Sequence, residues 1–181
     1  MAITYIALLR GINVSGSNII KMTELKQLFL ELGFSNVNTY IQSGNVIFET
    51  NLEEPDKIEQ QIKDAINRTF VYKVNVLVLT KNSLETIFAS NPFLQKSDID
   101  ISKLHVTLLS NEPLSEGIEQ INEMTKNQDE FEIVDNCIYL YCPNGYGNTK
   151  LNNNLFEKKL KVSATTRNWN TISKLVELSN L

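Results

Sequence analysis

One histidine, two cysteines and one tryptophan among 181 residues leave little from which to build a transition-metal or thiol centre. Cys137 and Cys142 lie five residues apart in what reads as one strand. That odd separation sends them to opposite faces, where they neither bridge nor share a metal. No metal and no cofactor is expected, with Mg²⁺ on carboxylates the one metal left open. Long hydrophobic runs are missing too. The apolar stretch 3–9 has no basic segment before it and runs into Arg10 and a Gly/Asn turn, so it reads as a strand and not as a signal peptide or membrane span. A cytoplasmic location and no membrane partner are therefore expected. An excess of positive charge is also absent: the net charge is -4, which speaks against indiscriminate polyanion binding. The balance is uneven along the chain. Residues 1–81 hold eight basic and eight acidic groups, 82–136 three against eleven, and 137–181 six against two, so the last segment permits one local anion-binding patch.

A hydrophobic content of 42% is enough to bury a core, as one domain or as two small halves. Residues 3–10 read as a buried strand. Leu25, Leu28, Phe29 and Leu32 then repeat at helical spacing up to a stop at Gly33. Residues 37–41 and 45–50 make two strands around Gln42-Ser43-Gly44. Pro55 opens a helix marked by Ile58, Ile62 and Ile66, and 73–79 form a strand. The order βαββαβ is that of a ferredoxin-like half. After a connecting helix at 83–89, ended by Asn91-Pro92, the order restarts with a strand at 104–109 and a helix carrying Leu114, Ile118 and Ile121. Strands 131–134 and 137–142 follow, joined by Asp135-Asn136, and then a helix with Leu151, Leu155, Phe156 and Leu160. The last strand of this half reads as missing or reduced to about Val162, and a helix at 168–178 ends the chain. The expected class is α+β, with antiparallel sheets in two ferredoxin-like halves, the second modified. The expected divisions are 1–81, a connecting helix and linker at 82–102, and 103–181 with the C-terminal helix.

Three polar segments stand out: Leu9-Arg10-Gly11-Ile12-Asn13, Gln42-Ser43-Gly44-Asn45 and Thr165-Thr166-Arg167-Asn168-Trp169-Asn170-Thr171. Each is expected at the end of a regular element, where a rigid scaffold displays binding groups, and together they are expected to form one polar site. The run Gly11-Ile12-Asn13-Val14-Ser15-Gly16-Ser17 spaces its glycines as a phosphate-binding P-loop does. Position 17 is serine instead of the required lysine, and Lys21 lies too far along to replace it. It reads as a strand-to-helix connection, with Arg10, Asn13 and Lys21 lining a pocket as its functional version.

At 100° per residue, Trp169, Ile172 and Val176 share one side of the final helix and Arg167, Thr171 and Lys174 the other. Thr165 or Thr166 is expected to cap it, leaving first-turn N–H groups to favour an anion beside Arg167. The plainer reading is a capped surface helix anchored by Trp169, with solvated cations. Gln42-Ser43-Gly44-Asn45 is first a hairpin turn, and second a cluster of hydrogen-bonding groups. His105, on the strand face of Thr107 and Leu109, has no visible partner and reads as structural. Tyr139 and Tyr141 share a face but lack the basic and aromatic pattern of an RNA-binding strand, and read as contacts between halves or copies of the chain.

Taken together, Ala7-Leu8-Leu9-Arg10-Gly11-Ile12-Asn13-Val14, Thr39-Tyr40-Ile41-Gln42-Ser43-Gly44-Asn45-Val46 and Thr166-Arg167-Asn168-Trp169-Asn170-Thr171 resemble the bacterial domain of unknown function 1697 family over nearly the whole chain. The resemblance implies a small cytoplasmic α/β protein with ferredoxin-like halves, singles out the same polar segments, and supplies no activity. Where that family often reads Gly-Ile-Asn-Val-Gly, this chain has Ser15-Gly16-Ser17. The functional expectation is a metal-free binding module for an anionic ligand, a nucleotide or nucleic-acid end. Arg10, Lys21, Arg167 and Lys174 would supply charge, and Asn13, Ser43, Asn45 and Asn168 orientation. One alternative is a transferase or hydrolase acting on a phosphorylated small molecule, with His105 or an acid moving the proton. The other is an interaction or oligomer scaffold.

Overall fold

The computed structural model describes residues 2–124 and 129–181. The chain divides into two compact units, Met1–Glu85 with Leu175–Leu181, and Thr86–Lys174. In the first, β1 (Ile3–Arg10), α1 (Met22–Glu31), β2 (Ser35–Tyr40), β3 (Asn45–Thr50), α2 (Pro55–Phe70) and β4 (Asn75–Thr80) form an antiparallel sheet in the order β2-β3-β1-β4, followed by α3 (Lys81–Ala89). Alternation along β1 sends Tyr5, Ala7 and Leu9 toward α1 and α2, where they join Leu25, Phe29, Phe48, Ile58 and Ile62 in one core. Phe48 is its hub, stacked on Phe34 at 4.6 Å and meeting Phe29 edge-on at 5.3 Å. Ile6, Leu8 and Ile47, on the opposite sheet face, are buried as well, which is why β1 reads as a continuous apolar run. The helix starts and stops follow the sequence signals. Pro55 begins α2, and Gly33 at φ +84° ends α1 with Phe34 N–H bonded to the Phe29 carbonyl.

The second unit repeats this plan. β5 (Leu104–Leu109), α4 (Ser115–Met124), β6 (Glu130–Val134), β7 (Cys137–Tyr141), α5 (Asn153–Leu160) and β8 (Ala164–Asn168) give a sheet ordered β6-β7-β5-β8, all antiparallel, followed by α6 (Trp169–Ser179). The match between the two orders fits a repeated ferredoxin-like arrangement in an α+β protein. Leu109, Ile138 and Leu140 pack with Ile121, Phe156 and Leu160 of α4 and α5. On the other sheet face Trp169 stacks on Phe88 at 5.2 Å and meets Tyr139 edge-on at 6.4 Å.

The fourth strand of this half is therefore present, contrary to the expectation from sequence. Ala-Thr-Thr-Arg-Asn has no apolar alternation to announce a strand. It is held as an edge by pairing Leu109 with Ala164 through His105 with Asn168, a place where β-branched threonines suffice. Arg167 lies in β8 and shares no helical stripe with Thr171 and Lys174. Thr165 and Thr166 are strand residues, and Asn168 is the cap, its Oδ1 accepting from Thr171 N–H at 2.8 Å. Ile41, read as the end of a strand, sits past β2 in the left-handed region at φ +49°, a costly place for a β-branched residue.

Candidate functional site

Arg10, Asn13, Lys21, Ser43 and Asn45 belong to the first unit, and Arg167, Asn168 and Lys174 to the second. In the first unit, the segment between β1 and α1 is fastened to the β2–β3 turn by one amide. Asn13 Nδ2 donates to the carbonyls of Ile20 and Gln42, both at 2.9 Å, and its Oδ1 accepts from Ile20 N–H at 2.9 Å. Asn13 adopts φ +54°, a conformation asparagine tolerates better than most residues. Asn18 donates to the Gly11 carbonyl and closes the segment from within. On the turn, buried Asn45 donates to the Tyr40 carbonyl at 3.0 Å and to Ser43 Oγ at 2.9 Å, while Leu9 N–H bonds the Gly44 carbonyl at 2.7 Å. Both amide hydrogens of Asn13 and both of Asn45 are thus committed to shaping the loops. Arg10 leaves the end of β1 on the face of Ile6 and Leu8, away from α1 and α2. Lys21, at the start of α1, is exposed and 3.8 Å from Glu24.

In the second unit Arg167 pairs in register with Val106 and so projects from the face turned away from α4 and α5, the counterpart of Arg10 in its own sheet. It is only 9% exposed, and its guanidinium donates to the Thr166 carbonyl at 3.0 Å. Burial pushes its pKa down to about 10, which leaves it charged at neutral pH. Asn168, the next residue, is exposed, and Lys174 stands half-buried on α6. His105 lies on the opposite face of this sheet, with Thr107 and Leu109. The β-sheet therefore separates the histidine from Arg167, and the phosphoryl-transfer alternative loses its histidine base at Arg167.

The surroundings of His105 were not legible as a cluster. Its ring stacks on Tyr146 at 4.7 Å. Tyr146 OH donates to Thr166 Oγ1 at 3.1 Å, Thr166 Oγ1 donates to Asn153 Oδ1 at 2.7 Å, and the Thr107 hydroxyl is 2.7 Å from Thr166 Oγ1. A hydroxyl has one hydrogen, so with Thr166 giving its own to Asn153, Thr107 is the donor to Thr166. The available signal was the pair of threonines in the middle of apolar or short strands. It carried no information on which loops would meet them.

His105 is held below its ordinary pKa by burial, partly opposed by its contact with the Lys103 carbonyl. A buried histidine that resists protonation favours the fold above the unfolded pKa near 6.5 and loses that contribution as pH falls through the lower folded value. Urea melts of wild type between pH 7.5 and 5.5 are expected to show a slope of at most about 1.4 kcal/mol per pH unit from this group. His105→Asn is expected to remove that slope, and an unchanged slope would count against the assignment.

Cys137 and Cys142 are buried free thiols pushed up to about 12 and about 11 by burial, so neither is a thiolate nucleophile at neutral pH. Among the described residues no group of three His, Cys, Asp or Glu side chains is placed to hold a metal ion, and no helix is long and apolar enough to cross a membrane. Tyr139 is buried inside the second unit, and Tyr141 is half-buried at its surface. Tyr139 OH donates to the Ile87 carbonyl at 2.8 Å, and Tyr141 lies against Phe93.

The family model described as "Protein of unknown function (DUF1697)" matches residues 2–139. Among solved structures, a conserved bacterial protein, SP0830 from Streptococcus pneumoniae, is similar over 99% of each chain, with a TM-score of 0.71 at 21% identity, a likeness of fold. No curated protein matches the chain.

Proposed function

Since the chain belongs to the DUF1697 family of proteins of unknown function, we propose from its own residues that it is a binding module for an anionic ligand of the nucleotide or nucleic-acid phosphate class. The observation that carries this reading is Arg167, a guanidinium that remains charged while nine-tenths buried in an edge strand. Desolvating a cation costs several kcal/mol, and replacing buried charge by apolar groups often stabilises a fold, so a retained buried arginine favours a role beyond folding. Asn168 adds an exposed amide at the next position, and Lys174 adds charge further along α6. Taken by itself, the first unit offers Arg10 and Lys21 as charge and Ser43 as a hydroxyl, while Asn13 and Asn45 hold the loops that carry them. Raised thiol pKa values and the separation of His105 from Arg167 favour binding over catalysis. Free thiols fit a cytoplasmic setting.

The test is calorimetric titration of the full chain with ATP and with a 5′-phosphorylated oligonucleotide at low and high salt. Binding is expected to weaken with salt and to fall roughly tenfold or more in Arg167→Met, with circular dichroism confirming that the variant is folded at the titration temperature. Arg167→Lys should restore only part of the affinity, because an ammonium lacks the planar donor fork. Equal binding by wild type, Arg10→Ala and Arg167→Met would end the proposal.

A further inference from the structure

Of the six basic residues after position 136, three converge outside the site described above. Lys158, Lys159 and Lys161 line one cleft of about 350 Å³ between α4 and α5 of the second unit, together with Gln120, Glu116 and the exposed side chain of Leu114. We infer that this cleft binds a compact phosphate anion of the pyrophosphate type.

Among the described residues, three lysines face one carboxylate in the cleft, a local excess of positive charge in a chain whose total is -4. Basic residues in the last turn of a helix are favoured by its dipole, which accounts for Lys158 and Lys159 with no ligand at all. The dipole favours a cation at Lys161 as well, and what it leaves unexplained is a side chain at that position in place of glycine. Lys161 caps α5 in the left-handed conformation at φ +58°, the position where glycine is the low-energy choice, and it carries a third cation into the same cleft. Lys159 is anchored there, its Nζ donating to Gln120 Oε1 at 2.9 Å, which ties the charge on α5 to the facing side of α4. The donor set selects the anion. The described lining holds lysines and no arginine, and ammoniums act as point charges, so the cleft favours the anion that carries the most charge in the smallest volume, a pyrophosphate over a citrate whose carboxylates are spread apart. The volume lies at the small end of ligand sites and admits a pyrophosphate.

The experiment is a titration of the isotopically labelled full chain with inorganic pyrophosphate, read from backbone amide shifts and repeated with citrate as the carboxylate counterpart. Saturable shifts are expected at Gly117, Gln120 and Lys161. The affinity should fall roughly tenfold between about 50 and about 300 mM salt and again by at least about tenfold in the Lys158→Gln/Lys161→Gln variant, whose melting temperature stays close to wild type because both residues are exposed. Citrate should bind more weakly. Arg167→Met should leave these shifts intact, since this cleft stands without the reading of Arg167. Absence of shifts at these amides, their persistence in the double lysine variant, or citrate binding as tightly as pyrophosphate would overturn the assignment.

Discussion

Gly44→Ala is expected to destabilise the first unit by roughly 3–5 kcal/mol, the largest effect of any single methyl group in that half. A Cβ at Gly44 would stand 2.7 Å from Leu9 Cβ and 2.8 Å from Ile12 Cδ1, and the first of these is fixed to the backbone of a central strand. The turn therefore has to move away from β1, which stretches the bond from Leu9 N–H to the Gly44 carbonyl. The residue also sits at φ +81°, where an L side chain costs about 1–2 kcal/mol whatever the space around it. Gly33 separates the two contributions. Its φ is +84°, and nothing lies within 4 Å of a Cβ built there. Gly33→Ala should cost only the conformational part, about 1–2 kcal/mol, and the difference between the two variants measures the crowding under the turn. Urea unfolding followed by far-ultraviolet circular dichroism is the measurement. Equal losses in Gly44→Ala and Gly33→Ala would show that the close approach of Gly44 to Leu9 and Ile12 has no energetic weight.

That turn shows why the fold was more legible in the sequence than the site. Hydrophobic period alone separates β1 from α1 and marks α2 and β5, because each of these elements buries a long apolar face and writes its geometry in residue spacing. β8 escaped because an edge strand of Thr165, Thr166 and Arg167 draws its order from pairing with β5, and pairing partners are not written in local spacing. The polar motifs were visible as unusual segments, but their division of labour was not. Asn13 and Asn45 look like ligand donors in a sequence, and only their carbonyl partners, contributed by Ile20, Gln42 and Tyr40, reveal them as fasteners. Arg167 was expected on a helical stripe facing away from the core, with an anion or solvent beside it, and its burial follows from the strand that was missed. The lysines of α5 were counted correctly as local charge, yet their common cleft depends on how closely α4 approaches, which a single glycine sets.

Gly117→Ala tests that approach and sets two rules against each other. Within an exposed helix the replacement gains roughly 1 kcal/mol, because alanine loses less backbone freedom than glycine. Here the added Cβ would stand 2.4 Å from the backbone carbonyl oxygen of Lys159 and 3.0 Å from Leu160 Cδ2. A carbonyl inside a helix has no rotamer to yield, so α4 and α5 must separate. Leu160 and Ile121, both fully buried beneath the contact, then lose packing. Overpacking of this kind costs about 1–3 kcal/mol and occasionally more, so the steric loss outweighs the helical gain and the net effect is a destabilisation of roughly 1–3 kcal/mol. The single tryptophan, Trp169, is buried in the same unit against Phe88, so urea unfolding followed by its fluorescence reads this half of the chain. Gly117→Ser should lose about as much as Ala, since the clash arises at Cβ and not beyond it. A Gly117→Ala variant with a raised midpoint would mean that the helices relax apart without cost, and the cleft between them would then be set by something other than this contact.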